Sequence, residues 1–418
     1  MKIWLIRISE PLPNNKYNDR LLRMGLIAHS CIEKFKFVVW WASSFDHFRK
    51  EWIGEPGIFH IKENYQINIL NSFGYKKNSS IRRLIDDWYT AYQFYKKSTY
   101  FENPDIIFCS MPTPELAYEA VKFSKKKNIP VILDVRDYAP EILLEKVSKI
   151  FRPIAKIILW NKFRKAKYAL NQATSVIGLT EDFLKWSYKF SKRFPNKLDR
   201  VFPMAYKKNF FSKTDILESE KFWDKNDVLH NEFNICFFGT INNYFDFEPI
   251  FSVAEKLKNY PIKFVICGLG SDYKNLKRKS EHFSNIKFIG WVNQIQIKTL
   301  MRRSKVGIAP YKEMQCFLQS TPNKFSEYLS EGLPILSSIN GVLGSIIDHY
   351  KLGYVYKSKD ELYNCILELF NDAGLQSEMS FRSDEYFQKN LNADSVYLNL
   401  VNFIEELAVL SLTERSKI

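Results

Sequence analysis

Short apolar runs recur along the chain, and stretches of helical periodicity separate them. In the first half, Ile3–Ile8, Phe37–Trp41, Ile67–Leu70, Ile106–Cys109, Val131–Asp134 and Ser175–Leu179 are predicted strands. Helical patterns lie between them at Asp19–Glu33, Ile81–Phe101 and Pro114–Lys127. That alternation argues a parallel sheet with helices on both faces. A polar, weakly periodic stretch at 206–232 reads as a linker. The alternation then restarts, with strands at Phe233–Phe238, Lys263–Cys267, Lys287–Ile289, Val306–Ala309 and Ile335–Ser338. Helices are expected at Phe247–Asn259, Asp272–His282, Gln294–Ser304, Leu343–Tyr350 and Ser358–Asn371, and a last one at Ala393–Leu410. With 418 residues, the chain is expected to form two α/β, doubly wound domains. The boundaries read as 1–205, 233–390 and a terminal helical segment, 391–418. Ligands of such sheets bind at the carboxyl ends of strands, so an interdomain cleft is the expected site.

One segment carries the most chemistry. Ser320–Ser337 reads as a short helix feeding a buried strand, with Thr321 as N-cap, Pro322 at the first helical position, and Gly332 and Pro334 ending the helix. Lys324, Glu327, Tyr328 and Glu331 share a face at helical spacing. A lysine in a first turn opposes the helix dipole, at a cost of some tenths of a kcal/mol, unless an anion sits there. First-turn amides with a lysine form a phosphate site, and Glu327, one turn deeper, reaches the hydroxyls of an attached ribose. The alternative is an ordinary surface helix.

Pro322-Asn323-Lys324-Phe325-Ser326-Glu327-Tyr328-Leu329-Ser330-Glu331-Gly332-Leu333-Pro334-Ile335 resembles the donor-binding helix of family 4 glycosyltransferases, in particular bacterial transferases that build capsule and O-antigen (lipopolysaccharide) polysaccharides. Other segments extend the resemblance. Phe238-Gly239-Thr240 ends a strand where the family places a glycine-rich turn against the donor diphosphate, although Asn242 stands in place of its second glycine. No basic residue follows Gly239 until Lys256, which leaves Lys324 as the cation for the diphosphate. Gly268 and Gly270 form another strand-to-helix turn. Trp291 and Val292 lie where the family packs the nucleotide base, and a buried structural tryptophan is the alternative. The family's first glutamate falls at Gln319, which can hydrogen-bond a hydroxyl but cannot be a carboxylate. Asp134-Val135-Arg136-Asp137-Tyr138-Ala139-Pro140-Glu141 resembles the family's D-x-R-D-x-W-P-E, so Asp137 is a catalytic candidate, with a turn-fixing Asp–Arg pair as the alternative. Trp40–Lys50 matches a run in close relatives, which makes Asp46, His47 and Arg49 acceptor-side candidates. The loop Ser9–Asn15 lacks the family's usual glycines, and no role falls to Arg20 or Arg23.

Charge adds a partner class. The net charge of +15 points to anionic partners: nucleic acid, an anionic membrane or phosphorylated substrates. No phosphate-binding loop or zinc-finger signature supports nucleic acid. Lys146 to Lys167 holds eight basic and no acidic residues, interleaved with Ile150, Phe151, Ile154, Ile157, Ile158, Trp160 and Phe163. That pattern suits an in-plane membrane helix, with a core helix bearing a solvated basic face as the alternative. The six widely spaced cysteines show no metal or redox spacing, and the N-terminus does not read as a signal peptide. No apolar stretch reads as a membrane span.

The expectation is therefore a GT-B enzyme of two Rossmann-like domains. It transfers a sugar, with retention, from a nucleotide-sugar to a lipid-diphosphate-linked saccharide in surface polysaccharide biosynthesis. The resemblance implies no metal and no resident cofactor. It implies a cytoplasmic protein held peripherally at the inner membrane face. A nucleotide-sugar 2-epimerase on the same fold is the first alternative, and a basic nucleic-acid-binding protein the second.

Overall fold

The computed structural model describes residues 1–13, 20–78, 80–145 and 147–415. Asn14, Asn15, Asp19 and Lys146, which the sequence reading placed in a loop, a helix and the basic stretch, lie outside the described residues. The chain forms two units, Met1–Pro203 with Ala393–Ile418, and Met204–Asn392.

The first unit is built on an eight-stranded sheet. Its order from edge to edge is Arg200–Val201, Ser175–Gly178, Val131–Val135, Ile106–Ser110, Lys2–Ile6, Phe37–Ser43, Tyr65–Leu70 and Gly57–Lys62. All pairings are parallel except the last. Lys2–Ile6 lies between Ile106–Ser110 and Phe37–Ser43, so strand order reverses there and the carboxyl end beside it is the topological switch point. Below it, Trp4 packs on Trp41 and Phe123 with ring centroids 5.3 and 5.0 Å apart. The edge strand Gly57–Lys62 escaped the sequence reading because its side chains are largely exposed and leave no apolar run.

Ala393–Arg415 is the last helix. Its Ala393–Thr413 segment is long and apolar enough to cross a membrane by length and composition, which the sequence reading did not anticipate. In the fold it lies against Arg23–Lys34 and buries Tyr397, Leu400, Val401, Ile404 and Leu407.

The second unit holds a six-stranded, all-parallel sheet in the order Ile286–Gly290, Ile262–Cys267, Phe233–Phe238, Ser304–Ala309, Ile335–Ser337 and Gly353–Val355. Apolar layers form two clusters, one around Tyr328 and Leu333, the other around Phe237 and Leu362. Within 206–232, Lys213–Lys225 is a helix. Its Trp223 is fully buried and donates from Nε1 to Thr299 Oγ1 at 2.9 Å, which fastens it to Gln294–Arg303. The sequence pattern there is faint because Trp223 and Ser219 are the helix's buried residues.

Candidate active site

The second unit's site forms at its own switch point, between Phe233–Phe238 and Ser304–Ala309. Gly239 follows the first of these strands with φ +140°, a conformation nearly confined to glycine. The backbone of the next turn crosses it closely: a Cβ on Gly268 would lie 1.8 Å from the Gly239 carbonyl oxygen. Gly239 N–H donates to Cys267 O and Ile241 N–H to Leu269 O, each at 3.0 Å, tying the two turns together. Gly270 lies in the same contact, against Ile241.

The donor-type helix spans Asn323–Ser330. Its N-cap is Pro322, not Thr321, because Pro322 has extended backbone (ψ 152°) and the helix begins one residue later than expected. No side chain caps it. Tyr328 anchors it: the fully buried hydroxyl points at Ile308 O (3.0 Å) and Cys236 O (3.2 Å), bridging the two strands of the switch point. The ring fills the space left by Gly307, where a Cβ would lie 2.5 Å away. So anchored, the helix sets the Lys324 ammonium over the rings of Phe237 and Phe245, at 4.8 and 4.9 Å from their centroids. A Cβ on Gly239 would fall 2.5 Å from that Nζ.

Glu327 is buried in the same helix and, after burial itself, helps push the Tyr311 hydroxyl pKa up. Two members of the expected face go elsewhere. Tyr328 is core, and Glu331 pairs with Arg302 at 3.0 Å and Lys298 at 3.8 Å, because it caps the helix on its far side from Gly239. Gln319 lies in the turn before the helix, and Asn323 and Thr240 are exposed. Trp291 is 70% exposed while Val292 is buried, which rules out the buried structural tryptophan. A cavity of about 220 Å³ lies beside Tyr311, Ser338 and Tyr356. It is below the usual size of a small-molecule site.

The first unit gathers charge at the carboxyl ends of its strands. Asp134 is fully buried and forms a two-point pair with Arg23, at 2.9 and 3.1 Å. Arg136 pairs with Glu10, whose other oxygen accepts from Met24 N–H at 2.8 Å. The Asp–Arg pair considered for this motif is present as a long contact, Arg136 Nε to Asp134 at 4.0 Å, beside the stronger pairs with other segments. Asp137 accepts from Ala139 N–H at 3.0 Å, and burial raises its pKa against the pull of Arg7.

Asp46 accepts from the backbone of Phe48 (2.6 Å) and Arg49 (2.9 Å) and pairs with the Arg49 side chain at 3.3 Å, closing a turn. His47 is bonded through Nδ1 to the Tyr75 hydroxyl. Burial, followed by the charges of Arg83, Lys50 and Arg7, depresses His47 to a pKa of about 3. Arg7, Tyr75 and Arg83 surround it, and none was singled out from sequence. The available signal was Arg7 directly following the first strand.

The basic stretch divides in two. Lys162 is buried and bonded to Asp87 (2.9 Å) and Glu115 (2.6 Å), and Lys165 is buried as well. Neither belongs to a solvated basic face, because the helix side carrying them packs on Pro114–Lys127. Ile150, Phe151, Ile154, Ile157, Ile158 and Trp160 are all more than half exposed. Among the described residues, no group of His, Cys, Asp and Glu is placed to hold a metal ion.

Residues 219–385 match the family described as Glycosyl transferases group 1. No curated protein sequence matches the chain. Several solved structures share the fold. Sucrose-phosphate synthase from Thermosynechococcus elongatus superposes with a TM-score of 0.70 at 12% identity, covering 98% of this chain and 99% of that one. HepE of Anabaena, in complex with UDP, gives 0.66 at 12% identity, covering 97% and 100%. WaaG, a glycosyltransferase involved in lipopolysaccharide biosynthesis, gives 0.66 at 13% identity, covering 97% and 99%. Fold and family match define the class: a glycosyltransferase of GT-B architecture with two Rossmann-like domains. The group 1 match falls within the second unit and includes Gly239, Gly268, Lys324 and Glu327.

Proposed function

We propose that this is a retaining, family 4 glycosyltransferase of bacterial surface polysaccharide biosynthesis. The second unit binds the nucleotide-sugar and the first unit takes a lipid-diphosphate-linked saccharide. The observation that carries the reading is the Lys324 ammonium held against Gly239 at the switch point, beside the start of an anchored helix. Cation and first-turn amides would bind the diphosphate and stabilise the charge that develops on it as the glycosidic bond breaks. Glu327 would take the ribose hydroxyls. Gly239, Thr240, Gly268 and Gly270 would let backbone approach the phosphates, and the backbone at Trp291 and Val292 would meet the base. Gln319 and Asn323 would face the sugar.

In a retaining transfer the acceptor oxygen attacks from the side that the diphosphate leaves, and a donor phosphate oxygen takes the acceptor proton. The protein contributes position and charge. Asp137 is the polar group of the first unit assigned to the reacting sugar, and no resident cofactor enters. HepE, solved with UDP and in another crystal with UDP-glucose, supports a nucleotide-sugar donor. The exposed isoleucines and Trp160 beside Lys149, Arg152 and Lys156 suit attachment to an anionic inner leaflet, each basic residue contributing on the order of 1 kcal/mol.

Replacing Lys324 with alanine is expected to lower turnover by roughly 10²-fold, read as nucleoside diphosphate release from the donor. Near-wild-type kinetics would refute the assignment. Conversion of the donor to its epimer without any acceptor would replace the transferase reading with the epimerase one.

A further inference from the structure

The first unit holds a second cationic centre, assembled from three segments distant in sequence. At its middle is the buried ring of Tyr75. The Lys50 ammonium lies 4.8 Å from the ring centroid and the Arg83 guanidinium carbon 5.6 Å from it. His47 closes another side, its ring 5.8 Å from that of Tyr75. The partners of both cations are neutral. Lys50 donates to the His47 carbonyl and Asn78 Oδ1, and Arg83 NH1 donates to the Asn78 carbonyl at 3.0 Å. Among the described residues neither forms an ion pair. Arg7 enters from the end of the first strand, and its charge acts on His47, Tyr75 and Asp137. Its Nε is buried without a hydrogen-bond partner, 3.5 Å from a Glu10 oxygen already bonded to Arg136.

The neighbouring carboxylates are committed elsewhere. Asp46 pairs with Arg49, Asp87 with Lys162 and Asp134 with Arg23. Asp86 accepts from Ser72 Oγ and the amides of Phe73 and Gly74. Asp137 feels the charges of Arg7 and Arg83. Arg7, Lys50 and Arg83 are partly buried cations whose neighbouring carboxylates, Glu10 and Asp46 among them, are shared with Arg136 and Arg49, so they oppose one another and are poorly solvated. A dianion relieves both costs, and arginines are suited to its oxygens.

We propose that Arg7, Lys50 and Arg83 form a phosphate-binding site that holds the phosphate or diphosphate of the acceptor. The assignment rests on the acceptor reading above and names the groups that recognise it. Asp46 and Arg49, which satisfy each other, then shape the turn and do not bind. Neutral His47 orients Tyr75 beneath the anion.

The test uses the full chain and inorganic pyrophosphate as probe. In a Lys324→Ala background, which removes the second unit's cation, calorimetric titration is expected to show pyrophosphate binding. Adding Arg83→Gln is expected to weaken it by about tenfold or more, with Arg83→Lys recovering part of the loss. Phenylglyoxal labelling of Arg83, mapped by peptide mass spectrometry, is expected to fall when pyrophosphate is present. Absence of binding in the Lys324→Ala chain, or unchanged affinity after Arg83→Gln with labelling unprotected, would overturn the proposal. Affinity for nucleoside diphosphate separates the two sources of phosphate. It stays unchanged in Arg83→Gln if the site serves the acceptor, and a tenfold weakening would transfer these cations to the donor and overturn the assignment. Because donor binding is read through Lys324 and pyrophosphate binding through Arg83, either reading can fail alone.

Discussion

Gly239→Ala probes the donor site without replacing any charged group. Two costs follow from the structure. At φ +140° an alanine enters a region nearly confined to glycine, at about 1–3 kcal/mol. Its methyl would also lie 2.5 Å from Lys324 Nζ, nearer than any ordinary contact, so the ammonium must leave its place over Phe237 and Phe245. Losing that cation–π seat costs about 1–2 kcal/mol more. The sum, about 2–5 kcal/mol, lowers the melting temperature of the second unit by roughly 5–15 °C. Turnover should fall nearly as far as in Lys324→Ala, roughly 10²-fold, because the same cation is displaced. The decisive assay is the double-mutant cycle on nucleoside diphosphate release. Once Lys324 is alanine, no ammonium remains to displace, so the double variant should be no more than about twofold slower than Lys324→Ala. Multiplying losses, or a Gly239→Ala enzyme with wild-type turnover, would refute the coupling of glycine to lysine.

Two further predictions concern the first unit. Lys162→Met leaves Asp87 and Glu115 without their shared cation and should destabilise the unit by about 3–5 kcal/mol in urea unfolding, a loss below 1 kcal/mol contradicting the role of the triad. His47 titrates near 3 when folded and near 6.5 when unfolded, so below pH 6.5 the unfolded chain takes up a proton that the folded chain refuses. Its contribution is present above pH 6.5 and lost as pH falls toward 3, so His47→Gln should show a shallower acid destabilisation than wild type. Parallel stability–pH curves would contradict the burial argument.

Strands with near-continuous burial were legible in the sequence. The strand Phe233–Phe238 has the bounds its apolar pattern implies, and so does the amphipathic helix Pro114–Lys127. The edge strand Gly57–Lys62 and the helix Ala373–Asn390 bury too few residues to leave a period. Lys324, Gly239 and Gly268 stood out because each belongs to a short motif at a strand's end or a helix's start. The neutralisation of Lys162 was invisible, since its carboxylates lie 75 and 47 residues away. The Arg7–Lys50–Arg83 centre was hidden for the same reason: three segments supply it, and although Lys50 ends the matched run Trp40–Lys50, nothing local joins it to Arg7 or Arg83. Asp46 and Arg49 stand out in sequence as acceptor-side candidates, yet a local turn consumes them.

The central claim is that Lys324 and its helix hold the diphosphate of a nucleotide-sugar. It is tested most directly by melting wild-type and Lys324→Ala protein against UDP, GDP, CDP, dTDP and their common sugars. A ligand at a hundredfold excess over its dissociation constant stabilises by about 2.7 kcal/mol, enough to see. The account predicts that one nucleotide and its sugar raise the wild-type melting temperature, and that the shift collapses in Lys324→Ala. Silence from every nucleotide, or an equal shift in both proteins, would contradict it.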